Sequence, residues 1–310
     1  FHLEVEKENT NMIDKLMSTG KIDINECMTT SIDEYSQYYS QISNFNHILT
    51  SKAPLHIAIL SQKYNLVHKL LEYENCDINS IYYRYDKKTN IEENAPSLFL
   101  AFEKSTTDII ELLLQNDSID INKKTIYTLC NKIVKISNPF YKALFNKNQE
   151  HVKFLLDRPD LLINEKFIKK KELKENNCNI KKTLKLTPLY YAVAFCNEDI
   201  VKMLMESDSE IDVNSKSIIK TKPLNSNTMN QKASIIEITA LQHAVEKNKI
   251  NIIQLLINYK QIDVNTKSIT KIEKTIIKND NTITKKNTIN STNQTISKTN
   301  DSNKIFENEI

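Results

Sequence analysis

The chain has 310 residues, 40% hydrophobic and 26% charged, which is enough apolar material for a core but no surplus. Its net charge of +3 gives no whole-chain sign of nucleic-acid binding. The single glycine, Gly20, excludes the glycine-rich phosphate loops and leaves left-handed turn positions to Asn, Asp, Ser or Lys.

In chain order, residues 1–25 align without a gap with 55–79. Phe1 takes the place of Leu55, His2 of His56, and Glu4 stands where later copies have Ala. The chain therefore reads as opening inside a partial first module. The second module, 53–79, starts Ala53-Pro54-Leu55-His56-Ile57-Ala58 and ends Asp77-Ile78-Asn79. Between them Leu66, Val67, Leu70 and Leu71 form an apolar stripe at helical spacing. The third, 96–122, runs from Pro96-Ser97-Leu98-Phe99-Leu100-Ala101 through Ile109, Ile110, Leu113 and Leu114 to Asp120-Ile121-Asn122. The fourth, 138–164, starts Asn138-Pro139-Phe140-Tyr141-Lys142-Ala143 and ends in the degenerate Leu162-Ile163-Asn164. The fifth, 187–214, runs from Thr187-Pro188-Leu189-Tyr190-Tyr191-Ala192 through Leu204-Met205 to Asp212-Val213-Asn214. The sixth, 239–265, runs from Thr239-Ala240-Leu241-Gln242-His243-Ala244 through Leu255-Leu256 to Asp263-Val264-Asn265. The remainder, 266–310, is a polar low-complexity tail of Lys, Asn, Thr, Ser and Ile, reading as disorder or as a long finger.

These starts resemble the T-P-L-H-x-A signature of the ankyrin repeat family. The resemblance implies an all-α fold: an α-solenoid of stacked helix–turn–helix repeats with long finger loops, whose neighbours share one core. The connections 26–52, 80–95, 123–137, 165–186 and 215–238 hold 15 to 27 residues, against about 6 in a standard repeat. The usual turn glycine is replaced by Gln62, Ser105, Lys147, Cys196 and Asn248.

The chemistry of the residues is that of a binding protein. No acid, base and nucleophile cluster with catalytic spacing, so no enzyme activity and no cofactor are expected. The histidines have no metal-ligand spacing, and the resemblance implies that His56 braces its own repeat. Cys27, Cys76, Cys130, Cys178 and Cys196 form no C-x-x-C pair, which points away from disulfides and zinc and toward a reducing compartment. That is the cytoplasm, or the nucleus. No apolar run approaches a bilayer span, and no charged-then-apolar leader is visible.

The connections carry the informative residues. Segment 165–186 holds eight lysines, Lys169, Lys170 and Lys171 among them, against three glutamates. Segment 26–52 is slightly acidic. This basic finger is either a solvated surface or the face of an acidic partner. Tyr35, Tyr38, Tyr39, Tyr82, Tyr83 and Tyr85 are either binding anchors or packing within the fingers. The resemblance implies a protein–protein interaction scaffold with an unidentified protein partner. Two alternatives stay open: a basic-finger binder of nucleic acid or an acidic membrane surface, and a recruiting module of a larger enzyme.

Overall fold

A computed structural model describes residues 1–30, 48–104, 106–175, 178–207, 210–224, 233–278, 281–285 and 288–289. They form two compact units, Phe1–Leu162 and Ile163–Ile310. In the first, helices pair as α1 (His2–Glu6) with α2 (Thr10–Met17), α3 (Pro54–Leu60) with α4 (Tyr64–Leu71), α5 (Ser97–Lys104) with α6 (Thr107–Leu114), and α7 (Pro139–Asn146) with α8 (Gln149–Leu156). In the second, α9 (Pro188–Phe195) pairs with α10 (Glu198–Glu206) and α11 (Ala240–Glu246) with α12 (Ile250–Ile257).

Local chemistry starts these helices. Pro54, Pro139 and Pro188 occupy first-turn positions that need no amide hydrogen. Asn138, Thr187 and Thr239 accept hydrogen bonds from the amides of Tyr141, Tyr190 and Gln242. Helices of five to nine residues are too short to persist alone. They persist because they stack. In the first unit α1, α3, α5 and α7 pack in succession, as do α4, α6 and α8. In the second, α9 packs on α11 and α10 on α12. Ala58, Ala101, Ala143, Ala192 and Ala244 are wholly buried, so the backbones approach closely. Leu70, Leu113, Leu155, Leu204 and Leu256 are equally buried and fill the space between layers.

The turns between paired helices absorb the lack of glycine. Gln62, Lys147 and Asn248 adopt left-handed φ values of 57°, 54° and 53°. Cys196 instead takes an extended conformation, and Ser105 lies outside the described residues.

The D-I-N segments are staples. Asp23, Asp77, Asp120, Asp212 and Asp263 each accept the amide of the Asn two residues on, closing a local turn. That Asn then reaches the next turn with both ends of its side chain. Asn79 Nδ2 donates to Ser118 O at 2.7 Å, and its Oδ1 accepts from the Asp120 amide at 2.8 Å. Asn25, Asn122, Asn164 and Asn214 repeat the pattern. Leu162 cannot close the local turn, and here Arg158 bonds both Asp160 and the Leu114 carbonyl. The middle residues Ile24, Ile78, Ile121, Ile163 and Val213 are at most 4% exposed, whereas Val264 is 58% exposed. No further helix pair covers Val264 among the described residues.

The all-α expectation is wrong. The long connections are not loops but antiparallel strands. In the first unit they are β1 (Met28–Thr30), β2 (Ile48–Lys52), β3 (Ile81–Asp86), β4 (Ile91–Pro96), β5 (Thr125–Leu129) and β6 (Lys132–Ser137). In the second they are β7 (Phe167–Glu175), β8 (Cys178–Leu186), β9 (Ser217–Pro223), β10 (Ala233–Ile238), β11 (Ile269–Lys278), β12 (Asn281–Lys285) and β13 (Thr288–Ile289). Each finger pairs internally and also edge to edge with the next finger of its unit. Examples are Leu49 opposite Tyr85, Glu93 opposite Tyr127, and Lys181 opposite Lys222. The strand order is sequential within each unit, with β13 added beside β11. The cause is backbone chemistry. A long projecting finger must satisfy its amides and carbonyls, and neighbouring fingers of alternating β-branched and polar residues do so mutually. The β5–β6 turn is closed by Cys130 and Asn131, both at positive φ, where a glycine would be usual. Part of the polar tail is thus a finger, β11 to β13, while residues 290–310 lie outside the described residues.

Candidate protein-interaction surface

Three fingers leave the helical layer through a side-chain brace. His56 Nδ1 accepts the Ala53 amide at 3.0 Å, and its Nε2 hydrogen donates to the Ser80 carbonyl at 3.1 Å. This ties the start of α3 to the root of β3. Burial lowers the imidazole pKa to about 4, so the ring is neutral as the two bonds require. Gln242 makes the same pair of bonds, from the Thr239 amide and to the Thr266 carbonyl. His2 reaches the Glu26 carbonyl in the same way. The remaining described histidines are also structural: His151 meets Thr107, His243 meets Tyr190, and His68 meets Glu72.

Three residues beyond Asn79, Asn122, Asn164 and Asn214, the finger turns one face to the helices. Tyr82 stands there with its ring edge against His56, centroids 6.0 Å apart. Phe167 stands there against Tyr191 at 5.8 Å, and Thr125 and Ser217 are fully buried at the same place. Side chains alternate along a strand, so the register sorts every finger residue onto this helix side or onto the outward side.

On the helix side of the first unit, Thr50, Arg84, Glu93, Tyr127 and Lys135 lie in one cross-strand row. Glu93 is buried, with an Arg84 nitrogen at 3.9 Å and a hydrogen bond from Tyr127. Desolvation raises its carboxyl pKa, and burial beside Glu93 raises that of the Tyr127 phenol. Lys135 sits over the Tyr127 ring at 4.8 Å. On the outward side, Ser51, Tyr83, Asn94, Ile126 and Ile136 form one row, and Leu49, Tyr85, Glu92 and Thr128 the next. All these outward side chains are partly exposed.

The six tyrosines therefore divide. Tyr35, Tyr38 and Tyr39 lie outside the described residues. Tyr82 is core packing; Tyr83 and Tyr85 face outward. The three adjacent lysines divide too. Lys169 and Lys171 lie on the helix side, opposite the buried Leu184 and Lys182, and both have partners. Lys170 lies outward with Lys181, Lys185, Lys220 and Lys222. Reading the basic segment as a loop hid this division. The period-two alternation of Asn179-Ile180-Lys181-Lys182-Thr183-Leu184-Lys185-Leu186 was the available signal.

Among the described residues, no group of three or more His, Cys, Asp or Glu could hold a metal ion. No helix there is long and apolar enough to cross a membrane. Cys27, Cys76 and Cys130 are free thiols, and burial pushes that of Cys76 up to about 12.

The ankyrin-repeat family model, in three copies, matches residues 129–217. Residues 129–217 carry ankyrin repeats. The match takes in the β5–β6 tip, the helix pairs of α7 to α10 and the finger between them. Among solved structures, the ankyrin repeat domain of Bcl-3, titled a unique member of the IkappaB protein family, is similar at 12% identity and a TM-score of 0.42. That similarity covers 83% of this chain and 97% of the other. A search of the curated proteins finds no match. Ankyrin repeats are protein–protein interaction modules as a class, and here they carry paired fingers in place of short turns.

Proposed function

We propose that this chain is a non-catalytic scaffold that binds a partner protein through the outward faces of its finger sheets. The observation that carries the reading is the edge-to-edge pairing of successive fingers. Pairing fixes the backbone before any partner arrives, so little ordering cost remains at binding. In the first unit the outward face offers Tyr83 and Tyr85 amid Leu49, Ile126 and Ile136. Such a mixture supplies rigid aromatic anchors with apolar surroundings. The exposed free thiols Cys27 and Cys130 suit a reducing compartment, the cytoplasm or nucleus.

The test is photo-cross-linking. A benzophenone side chain at position 94, in the same outward row as Tyr83, is expected to capture a discrete partner in an extract of the expressing cell. The double variant Tyr83→Ala, Tyr85→Ala should lose that product while keeping the helical circular-dichroism signal. An unchanged product, or none with the parent chain, refutes the reading.

A further inference from the structure

The outward face of the second unit is built differently from that of the first. Its register gives three rows. Glu172, Lys181 and Lys222 form one; Lys170, Thr183, Lys220, Ile235 and Lys271 form the next; Ile168, Lys185, Ile218, Glu237 and Ile269 form the third. These three rows hold six lysines and two glutamates. Lys185, Lys220 and Lys222 are exposed. Within these three rows Glu237 is tied to Lys271 at 3.9 Å, which leaves five lysines with Glu172; Glu273, opposite Ala233, and Lys174, opposite Asn179, extend the register with one charge of each sign. The charge is local, because the whole chain carries only +3.

We infer that this face docks an extended acidic segment of a partner protein. The inference rests on the scaffold reading and names the partner chemistry for one of its surfaces. Charge sign supplies the first argument: a concentrated positive field on a paired, rigid sheet attracts and orients an anion. Spacing supplies the second. Alternate residues of a strand, such as Lys220 and Lys222, are about 6.6–6.8 Å apart. Alternate side chains of an extended peptide have that same repeat, so acids at every second position meet lysines in register. The third argument is what separates the lysines. Ile168, Ile218, Ile235 and Ile269 offer apolar contact to the intervening side chains of a peptide. The rows hold no aromatic ring on which a base could stack, and no arginine fork for a phosphate.

The experiment measures fluorescence anisotropy of a labelled peptide of about twelve residues, alternating Glu and Ser, with the full chain. Binding is expected to weaken at least tenfold in Lys220→Glu, Lys222→Glu, to recover in Lys220→Arg, Lys222→Arg, and to fall with added salt. Lys220→Gln, Lys222→Gln serves if the reversal variant loses its circular-dichroism signal, and is expected to weaken binding severalfold. Tyr83→Ala, Tyr85→Ala should leave peptide binding unchanged, so loss of the scaffold reading and loss of this one are separable. Absence of binding, or equal binding by the lysine variants, overturns the inference. Tighter, Lys220- and Lys222-dependent binding of a single-stranded oligonucleotide or of phosphatidylserine vesicles overturns it as well, by assigning the face another occupant.

Discussion

Replacing Asn79 by Ala removes two hydrogen bonds that join neighbouring turns, at 2.7 Å to Ser118 O and 2.8 Å from the Asp120 amide. Each such bond is worth a net 0.5–1.5 kcal/mol or so, since water competes in the unfolded chain. Both lie near the surface, so water replaces the lost partner and no large desolvation penalty is added. The expected cost is therefore about 1–3 kcal/mol. Asn265 is the internal control. Its amide closes the local turn on Asp263, but its side chain bonds no later turn among the described residues. Asn265→Ala should cost less than about 0.5 kcal/mol, as ordinary surface changes do. Urea unfolding followed by circular dichroism measures both. Equal losses in the two variants, or a negligible loss at Asn79, would refute the view that the asparagines staple successive repeats.

Further expectations concern the core, the brace and the turns. Leu113 is wholly buried between stacked helices, so Leu113→Ala should cost about 2–5 kcal/mol in urea unfolding. His56 is held neutral in the fold with a pKa of about 4, below the ordinary 6.5, so the unfolded chain takes up a proton first as pH falls. Its contribution is full above about pH 6.5 and is lost progressively toward pH 4, by about 3 kcal/mol. His56→Gln should keep the brace, as Gln242 does, and lack this share of the acid sensitivity when unfolding is compared at pH 7 and 4.5. Gln62, Lys147 and Asn248 hold left-handed turns, so changing each to Gly should stabilise by up to about 1 kcal/mol and raise the melting temperature.

The helical layer was legible because its signals are local. Pro at a first turn, Thr or Asn at a cap, and paired leucines at helical spacing each act within a few residues. The staple role of the asparagines was not legible, since their bonds reach partners 38 residues away and more, as from Asn122 to Asp160. The fingers were misjudged for a related reason. Alternation in 180–186 and 217–223 was present, but a strand is stable only beside a partner strand, and here the partner is often the next finger. Composition alone grouped Lys169, Lys170 and Lys171, and Tyr82, Tyr83 and Tyr85. The pleat then set neighbours on opposite faces, which no count of charge or aromatics could reveal.

Amide hydrogen exchange along the fingers of the free protein tests the central claim most directly. Paired sheets predict that Leu49 and Tyr85 of one unit, and Lys181 and Lys220 of the other, exchange far more slowly than an unstructured chain, by about a hundredfold or more. Exchange at unprotected rates across these strands, with the helices still protected, would contradict a preformed binding surface.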